Sequence, residues 1–357
     1  MRKLIYFIIA VLVICLSTSC NTQKTVKVAV FTKLESGSII GSSEIDAIRM
    51  YFEKHNIDNI EIFPFNDGWN PDLIEGVYKE ARKKGINIFF TSHTSTCAME
   101  LKRLTDKEMD DVIVFITGST TDLLSDIDDN NIRVTQDVIK EQNSMAKEIA
   151  KYNYKNLIIL RESDNFRYTD PALNYFSENY KSNFEVVDFS ASKIDMKELY
   201  EKVSNIKYDA AYVLVGGNQA LGGSIAQLAW KLNPEAKIYL TPWNNAPTFI
   251  ETAGKAVDNC VIGSHYPSKK NYLPLDEYLK NFKARYGYAP TYNSLHVYKA
   301  VTVLEDALSA GNYTPKDIKS YIIDKKTFET ELGKLKFSKT GDVDMPLYFI
   351  DNIKDAF

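Results

Sequence analysis

From residue 26 onwards, short apolar runs alternate with amphipathic stretches. The run 26–31 (VKVAVF) is rich in Val and carries one aromatic, the pattern of a buried strand. A Gly/Ser-rich turn spans 36–43, and the stretch 44–55 then places Ile45, Ile48 and Phe52 on one helical face. The run 60–65 reads as a strand, 71–84 as a helix stopped by Gly85, and 86–90 as a strand. A helix over 98–104 and a strand over 112–116 complete the first half. Nearly continuous apolar strands in the order β-α-β-α-β-α-β predict a parallel sheet covered on both faces.

The alternation then starts again. Helices are expected over 142–152, 171–180, 196–204 and 220–232, with strands over 156–160, 184–189, 210–215, 238–240 and 260–262. The predicted fold class is α/β, with two doubly wound, Rossmann-like lobes in tandem. The first crossover between them falls at 135–138.

The N-terminus has a different pattern. Arg2 and Lys3 precede thirteen apolar residues, Leu4 to Leu16, and then Ser17-Thr18-Ser19-Cys20. As a helix that run rises about 20 Å, too short for a hydrocarbon core of about 30 Å. A charged start, a short apolar stretch and small residues before a cleavage point describe a secretory signal over 1–19. The Cys after the small residues resembles the bacterial lipobox. That likeness implies that Cys20 is lipidated and becomes the mature N-terminus, followed by a polar tether over 20–24. An ordinary signal peptide with a chance Cys is the alternative. No later segment is apolar enough to span a bilayer, so the body is expected to stand outside the cytoplasm, held to a bacterial membrane only by the anchor.

Composition narrows the classes further. Of 357 residues, 45% are hydrophobic and 25% charged, as in ordinary globular proteins, and the length suits about two domains. Forty-three basic against 47 acidic residues, with no dense Lys/Arg block, argue against nucleic acid as a partner. Four His and four Cys without HExxH or CxxC spacing imply no metal site and no cofactor. The acidic turn 126–130 lacks the Gly and terminal Glu of a calcium loop, so a solvated turn is expected. Cys97 and Cys260 stand far apart in the chain, and two unpaired buried thiols are expected.

In parallel α/β sheets, ligands sit outside the carboxyl ends of the strands. The segment after strand 86–90 is Thr91-Ser92-His93-Thr94-Ser95-Thr96, and after 112–116 it is Thr117-Gly118-Ser119-Thr120-Thr121. Both are dense in hydroxyls and lead to helix starts, where free backbone N–H groups favour an anionic group. Hydroxyls also cap helices, which is the competing explanation. The second half offers Asp164 to Tyr168, Gly216-Gly217-Asn218-Gln219 and Thr241 to Asn245. There, Phe166, Tyr168 and Trp243 are loop aromatics able either to stack on a ligand or to pack on loop neighbours. His93 among hydroxyls suggests a Ser/His hydrolase, but no GxSxG elbow occurs and no strand-end Asp is evident to orient it, so no catalytic residue is assigned.

Near the C-terminus the chain reads Phe282-Lys283-Ala284-Arg285-Tyr286-Gly287-Tyr288-Ala289-Pro290, then His296-Val297-Tyr298-Lys299-Ala300-Val301 and a helix through Leu304 to Ala310. This resembles the "F..rYg..P" and "aYdAv..la.Al" segments of the type I periplasmic binding proteins of the leucine/isoleucine/valine group. The stretch Gly333-Lys334-Leu335-Lys336-Phe337-Ser338-Lys339-Thr340-Gly341-Asp342 resembles their "G.i.Fd..Gd" signature. Asn66-Asp67-Gly68-Trp69-Asn70-Pro71 resembles their "D…dp" turn.

The resemblance covers about 25–350 and implies a three-crossing hinge, with crossings near 135–138, 262–266 and 337–344. The N-terminal lobe would be 25–136 plus 264–336, and the C-terminal lobe 137–263 plus 337–357. It further implies a small-molecule ligand held between the lobes by His93, Thr94, Ser95, Ser119, Thr120, Thr121 and Asn218, with Tyr168 or alternatively Phe166 as the second-lobe aromatic; the loop aromatic Trp243 is placed beside them. The matching group carries an acidic residue near the position of Trp243 to pair with an α-ammonium. Here no carboxylate follows until Glu251, so an amide, a carboxylate without an amine, a peptide fragment or an aromatic metabolite stays open beside an amino acid.

The implied function is a monomeric, lipid-anchored solute-binding component that delivers its ligand to an ABC permease and catalyses nothing. The alternative is a surface lipoprotein using the same scaffold as a ligand sensor or an activator of cell-envelope enzymes.

Overall fold

The computed structural model describes residues 24–35 and 38–356; the signal sequence, Cys20 and the first two residues of the 36–43 turn lie outside the described residues. The first half forms a parallel sheet in the order β2-β1-β3-β4-β5. Its strands are β1 (Val26–Thr32), β2 (Ile60–Asn66), β3 (Ile88–Thr91), β4 (Ile113–Ile116) and β5 (Asn131–Arg133). The first helices are α1 (Ile40–His55), α2 (Pro71–Lys83) and α3 (Ser95–Thr105).

Even where the strands look uniformly apolar, alternate residues serve opposite faces. Ala29, Phe31, Phe89 and Val114 pack under Ile74 and Tyr78 of α2 and Leu101 of α3. Val28, Val30, Phe90 and Phe115 face Ala47 and Ile48 of α1. Each large side chain so buried contributes on the order of 2 kcal/mol. Pro64 is tolerated within β2 because that strand is an edge, where a missing N–H interrupts no second ladder.

The second half forms a sheet in the order β14-β10-β9-β8-β6-β7, parallel except for β14. Here β6 is Leu157–Glu162, β7 Phe184–Phe189, β8 Ala210–Leu214, β9 Lys237–Leu240, β10 Cys260–Ser264 and β14 Tyr348–Ile350. Helices α4 (Val138–Ala150) and α5 (Phe166–Asn179) cover one face, and α7 (Gln219–Leu232) and α8 (Pro247–Ala253) pack with the other face's core, while α6 (Met196–Ser204) follows β7. The chain returns to the first sheet's side as α9 (Leu273–Tyr286), α10 (Tyr292–Ser309) and α11 (Pro315–Lys325). A small antiparallel sheet of β11 (Thr327–Thr330), β12 (Gly333–Phe337) and β13 (Val343–Asp344) follows.

Four expectations shift. First, β5 is an additional strand, too short and polar to stand out in sequence. It is fixed by Arg133, which donates to Asp342 Oδ1 from Nε at 2.8 Å and to Thr121 O from Nη1 at 2.9 Å. Second, that tie and the β12–β13 pairing keep 342–344 on the first sheet's side. The third passage between sheets therefore falls at 345–347, later than expected. Third, α4 starts four residues early because Asp137 caps it, accepting from Lys140 N at 2.7 Å. Fourth, α5 starts at Phe166, with Pro171 inside the helix. The turn before the proline is held by Thr169, whose hydroxyl donates to Glu162 O at 2.7 Å.

The acidic turn is only partly solvated: Asp126 to Asp128 are exposed, but Asp129 is buried and accepts from Lys102 at 2.9 Å. Cys97 and Cys260 are both buried and free. Among the described residues, no helix is long and apolar enough to cross a membrane.

Candidate functional site

The carboxyl ends of the two sheets face one another across a narrow cavity of about 40 Å³, which opens into an outer cleft of about 570 Å³. The first sheet contributes the loop after β3. There Thr94 caps α3, its hydroxyl accepting from Cys97 N, and Ser95 opens the helix. The loop after β4 lies directly against it. A Cβ on Gly118 would stand 2.2 Å from Ser92 O, so only glycine permits this approach.

Much of the local polarity holds these loops to each other. Thr117 donates to Thr91 O at 3.0 Å, Ser119 to Ser95 Oγ at 3.2 Å, and Asn293 of α10 to Ser92 O at 3.2 Å.

His93 is the exception. It is 1% exposed, its Nδ1 lies 2.9 Å from Asp67 Oδ2, and its Nε2 is buried without a partner on the cavity wall. Asp67, at the end of β2, is thus the orienting acid that sequence reading had not located. Its other oxygen accepts from Trp69 N at 3.0 Å and so positions the indole that forms the next part of the wall. The Trp69 Nε1 is likewise buried and without a partner. Among the described residues, no hydroxyl stands within hydrogen-bonding distance of His93 Nε2. Beneath this rim, Glu44 of α1 is fully buried beside Ser92 and Thr32, and desolvation pushes its carboxyl up to about 8.

The second sheet answers with aromatics and backbone. Tyr168 lies in the first turn of α5 and Trp243 in a short 3-10 turn after β9; both are buried and line the cavity. Gly216 and Gly217 approach from the end of β8. Gly217 takes φ +93, and the Trp69 ring sits 3.5 Å from where its Cβ would be, so the two walls touch here.

Behind Tyr168 stands Glu141 of α4. Its Oε1 accepts from Tyr168 OH at 2.6 Å and Gln142 Nε2 at 2.8 Å, while its Oε2 is buried without a partner. Burial raises this carboxyl to about 7, against Tyr168, Gln142 and Trp243, whose hydrogen-bonding groups hold it down. Glu162, at the end of β6, accepts from Gly216 N at 3.2 Å and is also lifted to about 7 by desolvation.

No family model and no curated protein matches the sequence. Solved structures do match. A leucine-binding protein LivK from Thermotoga maritima superposes with TM-score 0.80 at 19% identity, covering 92% of this chain and 96% of its own. A solute-binding protein of an ABC transporter from Rhodopseudomonas palustris BisB5, in complex with 3,4-dihydroxybenzoic acid, gives 0.81 at 17% identity, covering 91% and 92%. The branched-chain amino acid transporter substrate-binding protein LivJ from Streptococcus pneumoniae, in complex with isoleucine, gives 0.80 at 18%, covering 92% and 97%.

The fold is that of the type I periplasmic binding proteins.

On this periplasmic-binding-protein frame, the residues singled out from sequence separate into two sets. His93, Thr94, Ser95, Thr120, Tyr168 and Trp243 are brought together on the cavity. The other four are not. Ser119 is buried and spent on Ser95, and Thr121 caps the 3-10 turn 122–124, accepting from Leu123 N at 3.4 Å. Phe166 is 48% exposed and sits under Arg167 on the outside of α5, because the helix begins there and turns it away from Tyr168. Asn218 caps α7, accepting from Leu221 N at 3.1 Å, and faces only the outer cleft.

Sequence reading missed Trp69, Asn165, Gln219, Asn293 and Glu141. Trp69 lay inside the quoted 66–71 turn, where an Asp two residues before an aromatic is the available signal. Glu141 sits on a helix and carried none.

Proposed function

We propose that this chain is an extracytoplasmic solute-binding protein of an ABC importer, lipid-anchored through Cys20, that captures a small polar ligand between its two lobes and passes it to a membrane permease. The observation that carries this is the cavity itself. It has one polar wall with two unsatisfied groups, His93 Nε2 and Trp69 Nε1, and one aromatic wall backed by a carboxylate. Unpaired buried polar groups are costly in an empty site and are satisfied by a ligand that hydrogen-bonds to them. A ligand touching both walls favours the arrangement in which the walls are close, which is how hinge closure is driven by binding.

The ligand class is an amino acid, an amide or a carboxylate-like molecule. Its anionic end lies towards Thr94 and Ser95 at the start of α3 and Thr120 of the loop after β4, and its other end against Tyr168 and Trp243. Glu141 supplies the carboxylate that the sequence lacks near Trp243, acting through the Tyr168 hydroxyl. The protein does no chemistry on the ligand, and the lobes divide close to the passages at 134–137, 265–267 and 345–347.

Isothermal titration with leucine, isoleucine, benzoate, 4-hydroxybenzoate, 3,4-dihydroxybenzoate and small amides is the direct test. One of them is expected to bind 1:1 with a Kd of about 10 µM or tighter, near −7 kcal/mol. Failure of the whole panel at about 1 mM removes the transport reading. The anchor is tested separately by alkyne-palmitate labelling, which is expected to mark the parent and not Cys20→Ser.

A further inference from the structure

A second cavity, of about 240 Å³, lies apart from the ligand cleft, where two of the three passages between the sheets run together. His265 and Pro267 border it from the passage after β10, Met345 and Pro346 from the passage after β13, and Lys299 from α10.

Its charge is unusual. Lys299 is 2% exposed, and no carboxylate of the described residues lies within ion-pairing distance of its ammonium, which stands 4.7 Å over the Tyr266 ring. Lysines are almost never this buried unless paired. The nearby acids are already engaged: Glu331 with Lys54 and His55, Glu329 with Lys334, Asp344 with Lys140 and Asp342 with Arg133. His265 is also buried. Its Nδ1 lies 3.3 Å from His296 Nε2, and its own Nε2 has no partner. When His296 Nε2 is the donor of this pair, the His265 proton sits on Nε2 and is offered as a donor; an oxyanion at Nε2 selects that tautomer over the one that donates from Nδ1. A buried ammonium and a buried, neutral imidazole, neither with a side-chain acceptor among the described residues at the nitrogen concerned, border one partly enclosed space.

We propose that this hinge cavity is a second binding site, for a small oxyanion (inorganic phosphate, sulfate or a free carboxylate), gripped by the Lys299 ammonium and the His265 N–H between two inter-sheet connections. An oxyanion supplies the several acceptor oxygens that these two donors can share. Burial alone brings the Lys299 ammonium down to about 7, with no acid opposing the shift, and a bound anion is the counter-charge that restores it.

The site is wired to the ligand cleft. The His265 ring meets Trp243 edge-on at 6.0 Å and Tyr292 at 5.6 Å, and its backbone N–H donates to the Tyr292 hydroxyl. An anion that fixes His265 therefore fixes the back of the aromatic wall.

The experiment is isothermal titration of the full chain with sodium phosphate, sodium sulfate and sodium acetate, each at constant ionic strength set with sodium chloride. At least one is expected to bind saturably at 1:1, with affinity falling at least about tenfold in Lys299→Met. A preference for phosphate or sulfate identifies a tetrahedral inorganic ion, and a preference for acetate identifies a carboxylate group; either supports the site. No saturable binding of any of the three, binding undiminished in Lys299→Met, or chloride competing as well as the oxyanions each overturns it. Lys299→Met is expected to fold, because an unpaired buried charge is being replaced by an apolar chain of similar length. Should it not, His265→Asn carries the same comparison, with the same tenfold loss expected.

Discussion

The two rims of the cleft solve one problem by opposite means. The first sheet's rim is built from short polar side chains that satisfy each other, as Ser119 does with Ser95 and Thr117 with the Thr91 carbonyl, leaving the Trp69 indole N–H as a free donor and His93 Nε2, opposite the nitrogen that donates to Asp67, as a free acceptor. The second sheet's rim is built from two large aromatics and a bare Gly-Gly backbone, with buried carboxylates behind them. A ring of hydroxyls next to a helix start is therefore not by itself a ring of ligand contacts. What marks a contact is the group left unsatisfied after the loops have closed on one another.

The largest expected effect sharpens this contrast from the aromatic side. Trp243→Ala removes a 93%-buried indole packed between Tyr292 and His265, and is expected to cost about 3–5 kcal/mol in urea unfolding and to weaken ligand binding as well. If unfolding moves by less than about 1 kcal/mol, the aromatic wall is not a packed unit. Gly118→Ala tests the opposite rim: a methyl group driven into the Ser92 carbonyl is expected to cost about 2–4 kcal/mol, since backbone cannot yield as a side chain does.

The buried acids beneath the two rims are compared through pH. Glu44 (about 8) and Glu141 (about 7) both have folded-state values above their unfolded ones, so the folded chain holds the extra protons. Their contribution is therefore full below about pH 4.5 and is lost as pH rises to about 8, by on the order of 4 kcal/mol for Glu44. Glu44→Gln is expected to flatten that slope, and unfolding midpoints from pH 5 to 9 that run parallel in parent and variant would contradict the assignment. His265, lowered to about 3, and Lys299, lowered to about 7, act in the reverse direction, which is why the comparison with a variant is needed.

The smallest effect is expected from Ser119→Ala with Thr121→Ala. Neither side chain lines the cavity, so ligand affinity should hold within about twofold while stability drops by about 1–2 kcal/mol from the lost loop hydrogen bond and cap. Affinity falling tenfold would place these hydroxyls back among the ligand contacts.

The alternation of strands and helices was legible because Val, Ile and Phe recur in unbroken runs and most helices have a capping residue or a glycine stop, as α3 has in Thr94 and α9 in Gly287. The rim loops were legible for the same reason, since strand ends follow from strands. What stayed hidden depended on helix phase and distance. Whether Phe166 or Tyr168 faces inward turns on α5 starting at Phe166 and tolerating Pro171, and proline statistics point the other way. The pairing of Asp67 with His93 spans 26 positions, and that of Glu141 with Tyr168 spans 27. No local pattern encodes contacts made by folding one crossover over another.

The Trp69–Gly217 contact has a practical corollary. Of the three tryptophans in the chain, Trp69 and Trp243 stand at the meeting of the two rims, while Trp230 belongs to the outer side of the second sheet's core. Any separation of the rims carries the half-buried Trp69 indole away from its glycine wall and further into water, and leaves Trp230 where it was. The protein thus contains its own chromophores for following that movement by emission wavelength, with no added dye and a built-in internal standard.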